Sequence, residues 1–147
     1  MKKLFFAIFL LCFSVVSFAQ QPADKISGIW HSIDSDVGLR FEIYKTNNTY
    51  SGKLLWASTM YEADGKTPKN DYKNPDKSLR YRSRQNIVNI TNLVYDDGEY
   101  TDGKLYNPDD GRTYRLKAQL KNSSELEFRG YVGISLLGQT MKLNRVP

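Results

Sequence analysis

Apolar and polar residues alternate with a period of two along most of this chain, and that pattern restricts the fold more than any other feature of the sequence. Leu39, Phe41 and Ile43 alternate with Arg40, Glu42 and Tyr44. Tyr114, Leu116, Ala118 and Leu120 alternate with Thr113, Arg115, Lys117 and Gln119, and Leu126 and Phe128 with Glu125, Glu127 and Arg129. In a strand such alternation sends one set of side chains into a core and the other into water. No stretch of ten or more residues after the first twenty carries a clear period of 3.6, which excludes helical bundles and helix-flanked parallel sheets. Turn residues punctuate the strands: Asn47-Asn48, Asp96-Asp97-Gly98, Asn107 to Gly111, and Asn122-Ser123-Ser124. Residues 38–57 read as a β-hairpin, with Leu54 and Trp56 on one face of its second strand. Strands then follow over 87–95, 100–106, 112–120 and 125–134, and a closing strand runs through Met141 and Leu143. That makes about eight, joined mostly by short turns. A single all-β domain over residues 20–147, an antiparallel β-barrel or barrel-like fold, protects the edges of so many short strands. Gly130, Gly133 and Gly138 mark a bulge or tight bend of the kind that closure requires.

Residues 1–19 have the make-up of an export signal. Lys2 and Lys3 precede an apolar run from Leu4 to Val16, and Ser17-Phe18-Ala19 places small residues at positions −3 and −1 of a cut before Gln20. The run is shorter than the ~20 residues that span a bilayer, so no transmembrane segment is expected after cleavage, and the mature domain is expected in the periplasm or outside the cell. Cys12 is the one cysteine and falls in this leader, so the mature chain has no thiol for a disulfide, a thiolate metal site or a cysteine nucleophile. Its stability must come from its core.

One segment breaks the strand rhythm. From Ser58 to Gln85 the chain is rich in Lys, Asn, Asp and Pro, a length that in connections is usually functional or mobile. Over 66–84 it carries Lys66, Lys69, Lys73, Lys77, Arg80, Arg82 and Arg84 against Asp71 and Asp76. Residues 95–110 oppose it, with Asp96, Asp97, Glu99, Asp102, Asp109 and Asp110 against Lys104. The two patches can pair within the molecule, pair between molecules, or remain solvated. If Arg80-x-Arg82-x-Arg84 is extended, its three guanidinium groups share one face and attract phosphate, carboxylate or lipid headgroups.

His31 is the single histidine, so His-pair metal sites are absent, and it is expected to point outward from the first strand. The Asp-Asp-Gly pairs at 96–98 and 109–111 fit turn capping better than a glycosidase carboxylate pair. The more useful constellation joins Tyr106, Tyr114 and Tyr131 with Arg80, Arg82 and Arg129: ring faces and forked donors suited to a sugar-like, anionic or amphipathic ligand. No cofactor, metal or nucleic acid is expected, and the oligomeric state stays open.

Several blocks resemble known families. Gly28-Ile29-Trp30 with a late Arg145 is similar to the entry motif and closing arginine of lipocalin and fatty-acid-binding barrels. That resemblance implies a guanidinium lying over the indole at a closed barrel end. With Phe41 to Tyr44, Gly52-Lys53-Leu54, Asn74 to Arg82, Gly103 to Tyr114 and Arg129 to Gly138, nearly the whole mature chain resembles domain-of-unknown-function family 2147, small exported bacterial proteins. This resemblance implies compartment and single-domain organisation and brings no catalytic residue. The leading expectation is a non-enzymatic barrel that binds a small ligand, with 58–85 as lid or rim. The alternatives are a protein-interaction or envelope-structural module using the opposite-charge patches, and a carbohydrate-active hydrolase with an Asp/Glu pair.

Overall fold

The computed structural model describes residues 22–133 and 138–147. The leader expected over 1–19, Gln20 and the end of the expected 125–134 strand at Ile134 lie outside them. Eight antiparallel strands of the described residues close into one barrel in chain order: β1 (Gly28–Ser32), β2 (Leu39–Thr46), β3 (Thr49–Ala57), β4 (Val88–Asp96), β5 (Glu99–Asn107), β6 (Arg112–Leu120), β7 (Glu125–Tyr131) and β8 (Gln139–Val146). β1 pairs with both β2 and β8, so Trp30 stands opposite Phe41 on one side and Arg145 on the other. Closure leaves no strand edge open, as the alternation requires.

The expected 38–57 hairpin forms, but Trp56 does not share a face with Leu54. Arg40 pairs with Trp56 while Phe41 pairs with Leu54, so Leu55 is an extra residue in β3. A bulge of one residue reverses the facing of every side chain beyond it on that strand. Leu54 is buried inside the barrel, whereas Trp56 joins His31 on the outer face, their rings 6.1 Å apart.

One end of the barrel is sealed. A short 3-10 helix, Pro22–Ile26, lies across it and puts Ile26 into the core. The Trp30 indole donates to the Ile26 carbonyl (2.8 Å) and the Tyr100 hydroxyl to the Ala23 carbonyl (2.6 Å). The Arg145 guanidinium lies 4.2 Å from the Trp30 ring and donates to the carbonyls of Lys25, Ser27 and Ser123. The closure implied by the Gly28, Trp30 and Arg145 resemblance is what these contacts build. Gly28 takes φ +138°, a conformation that favours glycine, and a β-carbon there would press on the Arg145 guanidinium, 2.5 Å from one of its nitrogens. Burial pushes the Tyr100 phenol up to about 12.

Asp24 accepts from the Tyr50 hydroxyl and pairs with Lys45 at 2.9 Å, and these two partners hold its carboxyl below the usual carboxylate range. A depressed carboxylate stabilises the fold above its unfolded pKa, and the contribution is lost as pH falls through the folded value. Thermal melts taken from neutral pH into the acid range below about 4 should therefore show wild type losing more of its stability than Asp24→Asn. Parallel pH profiles would refute the seal's acid sensitivity.

Candidate ligand cavity at the open end of the barrel

The other end carries the β1–β2 loop, the long β3–β4 connection, the β5–β6 turn and the β7–β8 loop, and there the barrel is not filled. A cavity of about 750 Å³ occupies this half, within the range of small-molecule sites. Phe41, Leu54, Leu105, Leu116, Phe128 and Met141 form its strand walls, with the Phe41 and Phe128 rings 5.7 Å apart. Met60 and Arg84 come from the connection, Asp34 to Val37 from the β1–β2 loop, Asn107 from the end of β5, and Pro108 and Asp109 from the β5–β6 turn.

The connection is fastened over this end by two clusters, one buried and one at the surface. In the first, Asp71 is completely buried and accepts from Arg82 Nε and Nη2 (both 3.0 Å), from Asn74 Nδ2 (2.8 Å) and from the Tyr106 hydroxyl. Burial, then the bond to Asp71, pushes the Tyr106 phenol well above its ordinary pKa. In the second, Asp109 on the β5–β6 turn receives Arg84 Nη1 (2.7 Å) and Thr59 Oγ1 (3.1 Å), while its carbonyl receives Lys73 Nζ (2.6 Å). Gly111 lies beneath with φ +73°, and a β-carbon there would stand 2.1 Å from the Lys73 carbonyl oxygen. The backbone of the connection therefore rests directly on the turn. Of the acidic patch, Asp109 pairs with a cation of the basic segment, Arg84, within the molecule.

Of the residues picked from the sequence, Tyr106, Tyr114 and Tyr131 stand together on the cavity lining. Arg80, Arg82 and Arg129 do not. The row Arg80-x-Arg82-x-Arg84 is extended only in its second half: Arg80 is helical at the end of a 3-10 turn, Lys77–Leu79, capped by the Asp76 carboxylate, while Ser83 bridges antiparallel to Asn70, and the three groups take different partners. Arg80 Nε donates to the Asn74 carbonyl (2.7 Å), Arg82 turns to Asp71, and Arg84 Nε donates to the Asn70 carbonyl (3.0 Å). Arg129 sits on the face of β7 opposite Phe128, with Nη1 2.7 Å from Thr140 Oγ1. Asp110 caps its own turn, accepting from the Arg112 amide (2.8 Å) and from the Tyr114 hydroxyl. His31 is on the outer wall and takes no part in the lining. Among the described residues, no group of three or more His, Cys, Asp or Glu side chains is placed to hold a metal ion, and no helix is long and apolar enough to cross a membrane.

Two buried polar residues of the cavity stand outside the tyrosine and arginine constellation picked from the sequence, Arg84 having been read there only as part of the arginine row. Arg84, 6% exposed, is the one guanidinium on the lining among the described residues. Asn89, 4% exposed, occupies a register shift in the β3–β4 ladder; its Nδ2 donates to the Tyr106 carbonyl (3.2 Å) and its Oδ1 has no partner among the described residues. A buried acceptor left unpaired costs about 1–3 kcal/mol. The signal for it was an amide in the apolar run Ile87-Val88-Asn89-Ile90.

Comparison with protein families matches residues 28–145 to a family described as "Uncharacterized protein conserved in bacteria (DUF2147)". Among solved structures, the chain is similar to one described as "Protein HP1028 from the human pathogen Helicobacter pylori belongs to the lipocalin family", at 26% identity and a TM-score of 0.70, covering 82% of each chain. Comparison with curated proteins gives no match.

Proposed function

The chain belongs to the bacterial family DUF2147 and has a lipocalin-like barrel fold, and from that premise we propose that it is an exported, non-enzymatic barrel that binds a small, largely apolar ligand. The cavity is the observation that carries this reading. The barrel is packed solid at the Trp30 end and open at the other, where aromatic and aliphatic side chains are left facing a space of about 750 Å³. Apolar walls with a few fixed polar groups are the usual make-up of a small-molecule site. The fastened connection supplies a rim, and the leader features of residues 1–19 support export. Within the charge patches, the Asp109 carboxylate is satisfied by Arg84 of its own chain rather than by a partner.

Native mass spectrometry of the protein purified from its own cell envelope reads ligand and processing in one spectrum. The expected species begins at Gln20 and carries a bound small molecule; a full-length, empty species refutes both parts. A second measurement uses an apolar fluorescent probe. Leu105→Trp fills part of the cavity from a half-buried wall position, and is expected to weaken probe binding by about tenfold, ~1.4 kcal/mol, while the melting temperature of the empty protein barely moves. Unchanged affinity would place the probe elsewhere.

A further inference from the structure

The outer face of β5, β6 and β7 holds a block of positive charge that the fold does not use. Leu105, Leu116, Ala118 and Phe128 face inward, so strand parity turns Lys104, Arg115, Lys117 and Arg129 outward. The register sets Lys104 directly opposite Arg115 and Lys117 directly opposite Arg129, while Arg115 and Lys117 are neighbours along one face of β6. Like charges directly opposite one another destabilise a sheet, so folding gains nothing from either pair. Lys104, Arg115 and Lys117 make no hydrogen bond or ion pair among the described residues. The carboxylates nearest in the ladders do not answer them. Glu127, the next outward residue back along β7, is matched with Lys121 at 3.7 Å and stands opposite Lys142 on β8. Asp102, exposed at the register shift of β5, makes no ion pair.

Independently of what the cavity holds, we propose that this wall docks the protein on an anionic lipid surface. Charge complementarity carries the choice of occupant. Each Lys or Arg brought against an anionic bilayer strengthens binding by about fivefold, so four on one face supply roughly a several-hundredfold gain. An acidic protein is a poorer match, because protein interfaces are built on aromatic anchors and are depleted in lysine. Thr91 and Thr140 flank the four cations across the ladders, and Tyr131, opposite Arg115, is on the cavity lining. The exposed aromatic residues, Tyr72 and Tyr81, are both on the β3–β4 connection and not on this wall. Val132, 71% exposed just past the end of β7, adds an apolar contact for the headgroup layer. Lys104 and Arg115 are the outward neighbours of Leu105 and Leu116, which wall the cavity, so docking sets the open half of the barrel beside the bilayer.

The test is cosedimentation of the mature chain, with no ligand added, with vesicles of mixed phosphatidylcholine and phosphatidylglycerol and with vesicles of phosphatidylcholine alone, at physiological ionic strength. Binding to the first and not the second is expected. Arg115→Gln with Lys117→Gln should weaken it by at least about tenfold. That variant should melt no lower than wild type, since it relieves two like-charge pairs. Arg40→Gln with Lys53→Gln takes the same charge from β2 and β3, four strands around the barrel from β6 and β7, and should change affinity by less than about twofold, because charges farther away than a Debye length are largely screened. Equal losses in the two double variants would reduce the effect to net charge and overturn the proposal. Failure to bind phosphatidylglycerol vesicles overturns it too; if poly-glutamate then binds and Arg115→Gln with Lys117→Gln abolishes that binding, the wall belongs to an acidic protein instead. None of these outcomes touches the cavity reading, which the fluorescent probe tests separately.

Discussion

Replacing Arg82 by methionine should cost about 3–5 kcal/mol of folding stability, out of the roughly 5–15 that a domain of this kind possesses. The reason is the asymmetry of its ion pair. Arg82 is 35% exposed on its side chain and Asp71 not at all, so water can solvate the cation but not the carboxylate. Both Arg82 contacts fall on the same Asp71 oxygen, Oδ2, and removing them leaves a buried charge with only Asn74 and the Tyr106 hydroxyl as partners. Methionine keeps much of the arginine stem's volume, which isolates the charge from the packing. The loss should be read in two ways. Denaturant titration gives its size, and hydrogen exchange should show the Asp71 and Arg84 amides, which bond the Arg82 and Lys69 carbonyls at 2.9 Å, exchanging faster than amides of β6 and β7. Adding Asp71→Asn to Arg82→Met should recover a large part of the loss, because the stranded charge is then gone. A single-variant cost below about 1 kcal/mol, the value of a surface pair, would show that the cluster does not hold the connection down.

That cluster also shows where reading the sequence stops working. Strands were legible because period-two alternation is a local property: Leu39 to Ile43 and Tyr114 to Leu120 each carry it within a few residues, and tertiary contacts only confirm the face. Trp56 was misplaced because one extra residue, Leu55, resets the parity, and a bulge is fixed by the partner strand rather than by its own. The arginines failed for a related reason. A shared face required all three to be extended, whereas Asp76 caps a 3-10 turn that ends at a helical Arg80, and the groups that claim them are the Asn74 and Asn70 carbonyls, Asp71 and, 25 residues on from Arg84, Asp109. The tyrosines were found because a ring in an alternating strand is likewise a local signal; Asn89 was not, because its missing partner is a property of the assembled wall. Tight packing in the sealed half has the same hidden origin. A β-carbon on Gly52 would stand 2.8 Å from Ile90, and one on Gly103 2.5 Å from Leu93.

At that sealed end, Trp30→Ala is expected to be about as damaging as Arg82→Met, at about 3–5 kcal/mol, and to lower the melting temperature by roughly 10–20 °C. Trp30 is fully buried and is among the largest side chains of the core, so its removal opens a void that neighbours on β1, β2 and β8 cannot collapse into without breaking ladder bonds. It also frees the Ile26 carbonyl and takes away the ring beneath Arg145. Arg145→Met should cost less, about 1–3 kcal/mol, because the carbonyls of Lys25, Ser27 and Ser123 lie near the surface and water can replace the guanidinium. The double variant should fall short of the sum, since the stacking is shared. Probe binding at the open end should survive both changes wherever the protein remains folded, because neither residue lines the cavity. If Arg145→Met proved the more damaging of the two, hydrogen bonding by the guanidinium rather than burial of the indole would hold the barrel shut, and the 3-10 helix would be the element that depends on it.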